Sequence, residues 1–148
     1  MTKGIPEGHH SITPYLIVQN AKDAIEYYQK AFNATVLYQM DKNGRVGHAE
    51  LKIGNSIIML ADEFAEMQAY APKHFGGSPI SICLYTENVD KVYQQAIQHG
   101  GTVINAVADQ FYGDRLGILQ DPFGHTWYVA THIEDVTPEE IAKRMANQ

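Results

Sequence analysis

The chain begins its ordered pattern with Ile12-Thr13-Pro14-Tyr15-Leu16-Ile17-Val18-Gln19-Asn20, and this stretch decides the fold. Its apolar and β-branched residues predict a strand. Asn20 precedes apolar residues at helical spacing, so we expect it to cap a helix that begins at Ala21. Asn33 tolerates the left-handed conformation and is expected to end that helix. The chain therefore opens with a strand followed by a helix.

Three further strands complete this first unit. Thr35 to Met40 and Arg45 to Ile53 are predicted strands on either side of Asn43-Gly44, a pair typical of a two-residue hairpin turn. A second tight turn at Gly54-Asn55 leads into a strand from Ser56 to Ala61. The order of elements in the first unit is thus β-α-β-β-β.

The second half of the chain repeats this order. Residues 68 apart correspond in type and expected place: Leu16 with Leu84, Asn20 with Asn88, and Ala24 with Val92. A strand at 80–85 and a helix capped by Asn88 are followed by three predicted strands at 102–107, 112–120 and 126–131. An internal repeat of one supersecondary unit predicts two similar modules.

These patterns divide the chain into three parts and a tail. We expect a first module at residues 1–61, a linker at 62–78 and a second module at 79–148. A capping box that begins at Thr137, with Pro138 at the first helical position, predicts a closing helix at the end of the second module. The expected fold class is α+β, with two tandem βαβββ modules whose sheets form a curved cup.

Strand alternation predicts which side chains face the cup. Apolar residues should pack on the helices, whereas the opposite face mixes hydroxyl, aromatic and charged groups, a composition suited to holding a small molecule. The residues expected to bind such a ligand are Thr13, Tyr15, His48, Glu50, Met59, Ser81, Arg115 and Tyr128. Arg115 would pair with an anionic group of the ligand, and the tyrosines would stack on a ring.

Composition narrows the classes of partner. The 148 residues carry 11 Lys and Arg against 17 Asp and Glu, so the formal charge is −6. An acidic chain without a basic run is a poor nucleic-acid binder. The single cysteine, Cys83, excludes an internal disulfide. Neither a membrane-spanning apolar stretch nor a signal-peptide core is apparent, so we expect a cytoplasmic protein without membrane partners.

Several motifs resemble a known family. The sequence is similar to the vicinal oxygen chelate superfamily, which includes glyoxalase I, bleomycin-resistance and fosfomycin-resistance proteins and extradiol dioxygenases. Within it, the chain resembles the PhnB-like branch in residues 12–16, 24–28, 48–51 and, most specifically, Asp114-Arg115 followed by Asp121-Pro122-Phe123-Gly124-His125-Thr126-Trp127. This resemblance covers essentially the whole chain and implies a homodimer with two cups.

The resemblance also implies where a metal ion would be bound. Metal-dependent members take their ligands from the first and last strands of each module, mostly as His, Glu or Gln. Those positions correspond here to Thr13, Met59, Ser81 and Tyr128. Because divalent transition metals prefer imidazole, carboxylate or thiolate donors, we expect no metal and no cofactor at this place.

Three functions are compatible with these features. The first is metal-independent binding of a small molecule, as in drug-sequestering members of the family. The second is a metal-dependent lyase, transferase or dioxygenase with non-standard ligands His48 and Glu50, completed by His10 or by the partner subunit. The third is a metal-free enzyme in which His48 is the general base and Arg115 stabilises an oxyanion.

Overall fold

The computed structural model of the chain describes residues 2–148. Its strands are β1 (Tyr15–Val18), β2 (Thr35–Lys42), β3 (Arg45–Ile53), β4 (Ser56–Asp62), β5 (Ser81–Tyr85), β6 (Thr102–Asp109), β7 (Asp114–Gln120) and β8 (Thr126–His132). Its α-helices are α1 (Ala21–Phe32), α2 (Val89–Gln98) and α3 (Pro138–Ala146). Two short 3-10 turns, Ala65–Met67 and Pro72–Phe75, lie in the predicted linker.

The eight strands form two separate four-stranded sheets with the same topology. The first has the order β1-β4-β3-β2 and the second the order β5-β8-β7-β6. In each sheet the first strand is parallel to the last, and the other pairs are antiparallel. The predicted α+β fold of two tandem βαβββ modules is therefore confirmed. None of the helices in residues 2–148 has the length and apolar character that crossing a bilayer requires.

The two long helices are capped differently, although both follow an asparagine. Asn88 accepts a hydrogen bond from the backbone N–H of Lys91 at 3.2 Å, as predicted for the cap of α2. Asn20 instead adopts a left-handed conformation with φ 66° and makes no side-chain cap. The buried Asp62 of β4 takes its place by accepting the backbone N–H groups of Ala21 and Val46, both at 2.8 Å. The predicted capping role of Asn20 is wrong because the free N–H of Ala21, the first residue of α1, donates to Asp62 across the sheet.

One hydrophobic core joins the two modules. Helices α1 and α2 pack against each other and against the inner faces of both sheets. Aromatic side chains from both modules meet there: the ring centroids of Phe32 and Trp127 are 4.5 Å apart, and those of Tyr28 and Trp127 are 5.5 Å apart. Contacts between aromatic rings at these distances add to the free energy gained from burial. The core thus fixes the orientation of one sheet relative to the other.

A buried carboxylate lies beside this aromatic cluster. Asp121, only 3% exposed, accepts hydrogen bonds from the hydroxyl of Tyr28 on α1 and from the indole N–H of Trp127 on β8. The backbone N–H groups of Phe123 and His125 donate to its other oxygen at 2.9 and 3.0 Å. Four donors therefore satisfy a carboxylate that burial would otherwise penalise strongly.

This arrangement predicts the effect of removing one donor. We expect Tyr28→Phe to lower the free energy of unfolding by about 1–3 kcal/mol, because the buried carboxylate loses one charge-assisted hydrogen bond. Urea unfolding followed by the fluorescence of Trp127, the single tryptophan, measures the change. Tyr38→Phe is the matched control, since Tyr38 is 52% exposed. Equal stability of the two variants would contradict this role for Asp121.

Candidate functional site

The side of the first sheet that faces away from α1, here called the open face, carries the predicted site residues of the first module. Ala49, Leu51 and Leu60 are fully buried on the helix side, so the alternating residues point the other way. The strand register then aligns one row across all four strands: Tyr38, Glu50, Met59 and Tyr15. The faces predicted for β1, β3 and β4 are confirmed.

A chain of hydrogen bonds crosses this row. The hydroxyl of Tyr15 lies 2.8 Å from Nδ1 of His48, and Nε2 of the same ring lies 3.0 Å from Glu50. A carboxylate only accepts hydrogen bonds, so Nε2–H of His48 donates to Glu50, and Nδ1 accepts the proton of the Tyr15 hydroxyl. Tyr15, His48 and Glu50 thus form a relay with one direction of donation.

The ionisation of the relay follows from these contacts. The hydrogen bond from His48 lowers the pKa of Glu50, so this carboxylate is charged at neutral pH. Burial, assisted by the negative charge of Glu50, raises the pKa of Tyr15, so its hydroxyl keeps its proton. The open face therefore presents a fixed anion beside a neutral phenol.

A histidine of the N-terminal arm, residues 2–14, reaches the same carboxylate. Nε2 of His9 lies 3.2 Å from Glu50, and only 12% of the His9 side chain is exposed. The geometry of this contact lies outside that of a hydrogen bond, so the buried nitrogen has no hydrogen-bond partner among residues 2–148. The proximity of His9 nevertheless helps to lower the pKa of Glu50. Sequence reasoning considered His10 as a companion of His48 and Glu50, whereas the structure brings His9 there. The arm contains no helix or strand, so the sequence has no periodic pattern that could show which of the two adjacent histidines reaches Glu50.

The second module presents its own open face. Ser81, Cys83 and Tyr85 alternate with Ile82 and Leu84, which pack on the core. Register places Tyr128 beside Cys83, and Ser81 beside Thr126. The faces predicted for β5 and for Tyr128 are therefore confirmed.

A second polar network borders this face, and sequence reasoning missed it. The buried Asp114 accepts hydrogen bonds from the hydroxyl of Tyr85 at 2.7 Å and from Nδ1 of His132 at 2.8 Å. The first of these raises the pKa of Tyr85 to about 12. The β7–β8 hairpin aligns Asp114 with His132, six residue pairs beyond the Gln120 and Thr126 pair next to the turn. Counting the hairpin register outward from that turn would have found the pair.

Arg115 does not lie on the open face, and that prediction is wrong. It shares the helix side of β7 with Leu119, which is fully buried in the core. Its guanidinium makes two hydrogen bonds to Asp90 at the start of α2 and one to Asp109, all at 2.9 Å. Both faces of β7 carry apolar residues, so alternation alone could not fix the phase of this strand.

Two cavities are lined by residues of both modules. One, of about 420 Å³, is bordered by Thr13 and His10 from the arm and by Cys83 and Tyr85. The other, of about 270 Å³, lies across β1 and is walled by Tyr15, Tyr70, Phe75, Ile80 and His125. The structure thus gathers Tyr15, Glu50 and Met59 in one row, with His48 hydrogen-bonded to Tyr15 and Glu50. Thr13 instead borders the larger cavity.

The positions that would hold the family's metal ion do not fit it. Thr13, Met59, Ser81 and Tyr128 offer three hydroxyls and a thioether, which are poor donors for a divalent transition metal. In the described part of the chain, residues 2–148, no group of three or more His, Cys, Asp or Glu side chains is arranged to hold a metal ion.

His132 provides a testable pH dependence. Hydrogen bonding to Asp114 first, and to Asp135 second, raises its pKa above the ordinary value of 6.5. Because the pKa is higher in the folded than in the unfolded chain, protonated His132 stabilises the fold. This contribution is fully present below about pH 6.5 and is lost as the pH rises through the folded-state pKa.

We therefore expect the ring resonances of His132 to titrate with a midpoint above 6.5 in an NMR experiment. Asp114→Asn should lower this midpoint more than Asp135→Asn does, and Asp41→Asn, in β2, serves as the control. The stability difference between wild type and His132→Asn should shrink as the pH rises. A midpoint at or below the ordinary value would refute the proposed pairing.

Comparison with known proteins agrees with this architecture. Residues 8–129 match the sequence profile of the Glyoxalase/Bleomycin resistance protein/Dioxygenase superfamily. An uncharacterized protein of Mycobacterium bovis is 37% identical over 142 residues, which cover 93% of each chain. A structure from Arabidopsis thaliana has a TM-score of 0.68 at 23% identity, over 82% of this chain and 98% of the other. The PhnB protein from Bacillus cereus has a TM-score of 0.61 at 20% identity, over 82% of this chain and 99% of the other. The chain belongs to the glyoxalase/bleomycin resistance protein/dioxygenase superfamily.

Proposed function

We propose that this protein binds a small organic molecule on the open face of its first sheet without the metal centre of its metal-dependent relatives. The observation that carries the proposal is the row of Tyr15, Met59, Glu50 and Tyr38, crossed by the hydrogen bonds of His48. Two tyrosines about half exposed flank a charged carboxylate. Aromatic surface beside a few well-placed polar groups is the usual composition of a ligand site.

The proposed site extends to the second module. Ser81 and Tyr128 on the second open face would contact the far end of a larger ligand, and Thr13 would line the border between the modules. The resemblance to PhnB proteins supports placing the chain in the PhnB-like branch. The acidic charge of −6 argues against nucleic acid as a partner. A cytoplasmic location remains part of this proposal.

A homodimer is also proposed. Strands β2 and β6 each lie at the edge of a sheet, where their backbone groups can pair with another chain. Leu37 on β2 and Val103 and Ile104 on β6 are about half exposed. Light scattering should give about 33 kDa, twice the 16.5 kDa of one chain. A mass near that of one chain would contradict the dimer.

Ligand binding is tested by a thermal-shift screen of small molecules of mixed charge and size. A ligand at 100 times its dissociation constant should stabilise the protein by about 2.7 kcal/mol. For each ligand found, Glu50→Gln and His48→Gln should weaken binding about tenfold or more, as expected when one partner of a charge-assisted contact is lost. Calorimetric titration measures the change.

Two controls make this test specific. Glu26→Gln removes a carboxylate from the exposed side of α1, paired only with Lys30, and should leave affinity unchanged. Arg115→Gln should also leave it unchanged, because that guanidinium lies on the helix side and binds Asp90. Ligands whose affinity is insensitive to His48 and Glu50 would place the binding site elsewhere.

One observation favours a second function, acid–base catalysis without a metal. The Tyr15 hydroxyl, at the end of the relay, is directed to His48, which is oriented by Glu50. A base of this kind contributes typically about 10²–10⁴-fold to the rate of a proton transfer. If the bound molecule is turned over, His48→Gln should reduce kcat by that factor and abolish the pH dependence of the rate. Full activity of His48→Gln would exclude this function.

A further inference from the structure

We propose that Glu50 recognises a cationic nitrogen group of the ligand, and that the imidazole of His9 occupies this place until the ligand displaces it. The inference rests on the proposed function and names the ligand class of the same site. It replaces the anionic ligand expected from the sequence, since Arg115 lies on the opposite side of its sheet.

The charges of the open face favour a cation. Glu50 is the acidic member of the central row, and its neighbours there are two phenols and a thioether. Lys52 is on the same face, one step further along β3, but it is exposed and makes no ion pair among residues 2–148. An anion entering the row would be repelled by the negative charge of Glu50, whereas a cation would neutralise that charge.

The contact with His9 shows what kind of group this carboxylate accepts. A nitrogen of a planar, protonatable ring lies 3.2 Å from Glu50, nearly buried and without a hydrogen-bond partner in the described chain. A buried polar atom that lacks a partner costs free energy. The arm therefore places a nitrogen group next to the Glu50 carboxylate without a well-aligned hydrogen bond. An ammonium, imidazolium or guanidinium group of a ligand can make that hydrogen bond in its place.

The arm is held weakly enough to be displaced. Residues 2–14 contain no helix or strand. Within residues 2–148, no hydrogen bond joins residues 2–12 to the rest of the protein. Apart from the His9 contact, Gly8 passes over the side chain of Ile57. Segments with so few contacts open at a small cost in free energy.

The aromatic neighbours narrow the ligand class further. Tyr15 and Tyr38 lie on either side of the Glu50 and Met59 pair in the same row, and they are 47% and 52% exposed. Ring faces attract both a cation and a stacked ring. An aromatic amine whose ammonium reaches Glu50 while its ring packs on a tyrosine matches these groups.

The test compares tyramine with tyrosol, its alcohol counterpart, which has the same ring but no charge. NMR titration of the full chain gives both affinities and follows the ring resonances of His9. We expect tyramine to bind at least about tenfold more tightly than tyrosol, and His9 resonances to shift toward those of an exposed ring as it binds. Glu50→Gln should abolish the preference, and Glu26→Gln should keep it.

A variant of the arm tests displacement itself. His9→Ala should raise the affinity for tyramine about threefold or more, because the site no longer has to be vacated. Equal binding of the two probes, no binding of either, or a preference that survives Glu50→Gln would overturn the proposal. Neutral or anionic molecules found by the thermal-shift screen to need His48 would leave the proposed function standing and refute only the cationic ligand class.

Discussion

The buried carboxylate of Asp121 is the interaction on which the relative placement of the two modules depends. It accepts hydrogen bonds from Tyr28 of the first module and from Trp127 of the second, together with two backbone N–H groups of its own turn. Leaving such a charge unpaired costs several kcal/mol, so any sliding of α1 against β8 is opposed. The ring of His125, in the same turn, also contacts the carbonyl of Ile17 on β1 at 2.9 Å. The turn therefore fixes both the helix and the first strand of the other module.

This constraint explains why the open faces are free for chemistry. The inner faces of both sheets and the two long helices supply the shared core, so polar residues on the outer faces are not needed for packing. Each open face carries one polar network centred on a carboxylate, Glu50 in the first module and Asp114 in the second. The two networks differ in exposure: Asp114 is buried and held by Tyr85 and His132, whereas Glu50 is partly open to solvent. Only the first therefore offers an anion that an incoming molecule can reach.

The fold could be predicted from the sequence because the same βαβββ pattern occurs twice in the chain. Two copies of one unit, each with a helical stripe and alternating strands, independently indicated the same module, and the phases of β1, β3, β4 and β5 followed from alternation. The phase of β7 could not be predicted, since Leu116 and Ile118 on one face are as apolar as Leu119 on the other. Gly117 marks the correct phase: a Cβ there would lie 2.8 Å from the ring of Tyr93 on α2. The contact of His9 and the cap supplied by Asp62 join residues distant in sequence, which no local pattern encodes.

The side chains at the expected metal positions and the charge of Glu50 together bear on which kind of cation this protein can hold. A metal ion would supply a positive charge at the centre of the cup, and acidic side chains nearby would then be partly neutralised. With Thr13, Met59, Ser81 and Tyr128 at those positions, the first open face keeps a negative charge stabilised only by His48 and by the contact with His9. A partly buried anion gains most from a positive group placed beside it. The side chains that are poor donors for a metal cation therefore stand in a protein whose first open face is suited to an organic cation.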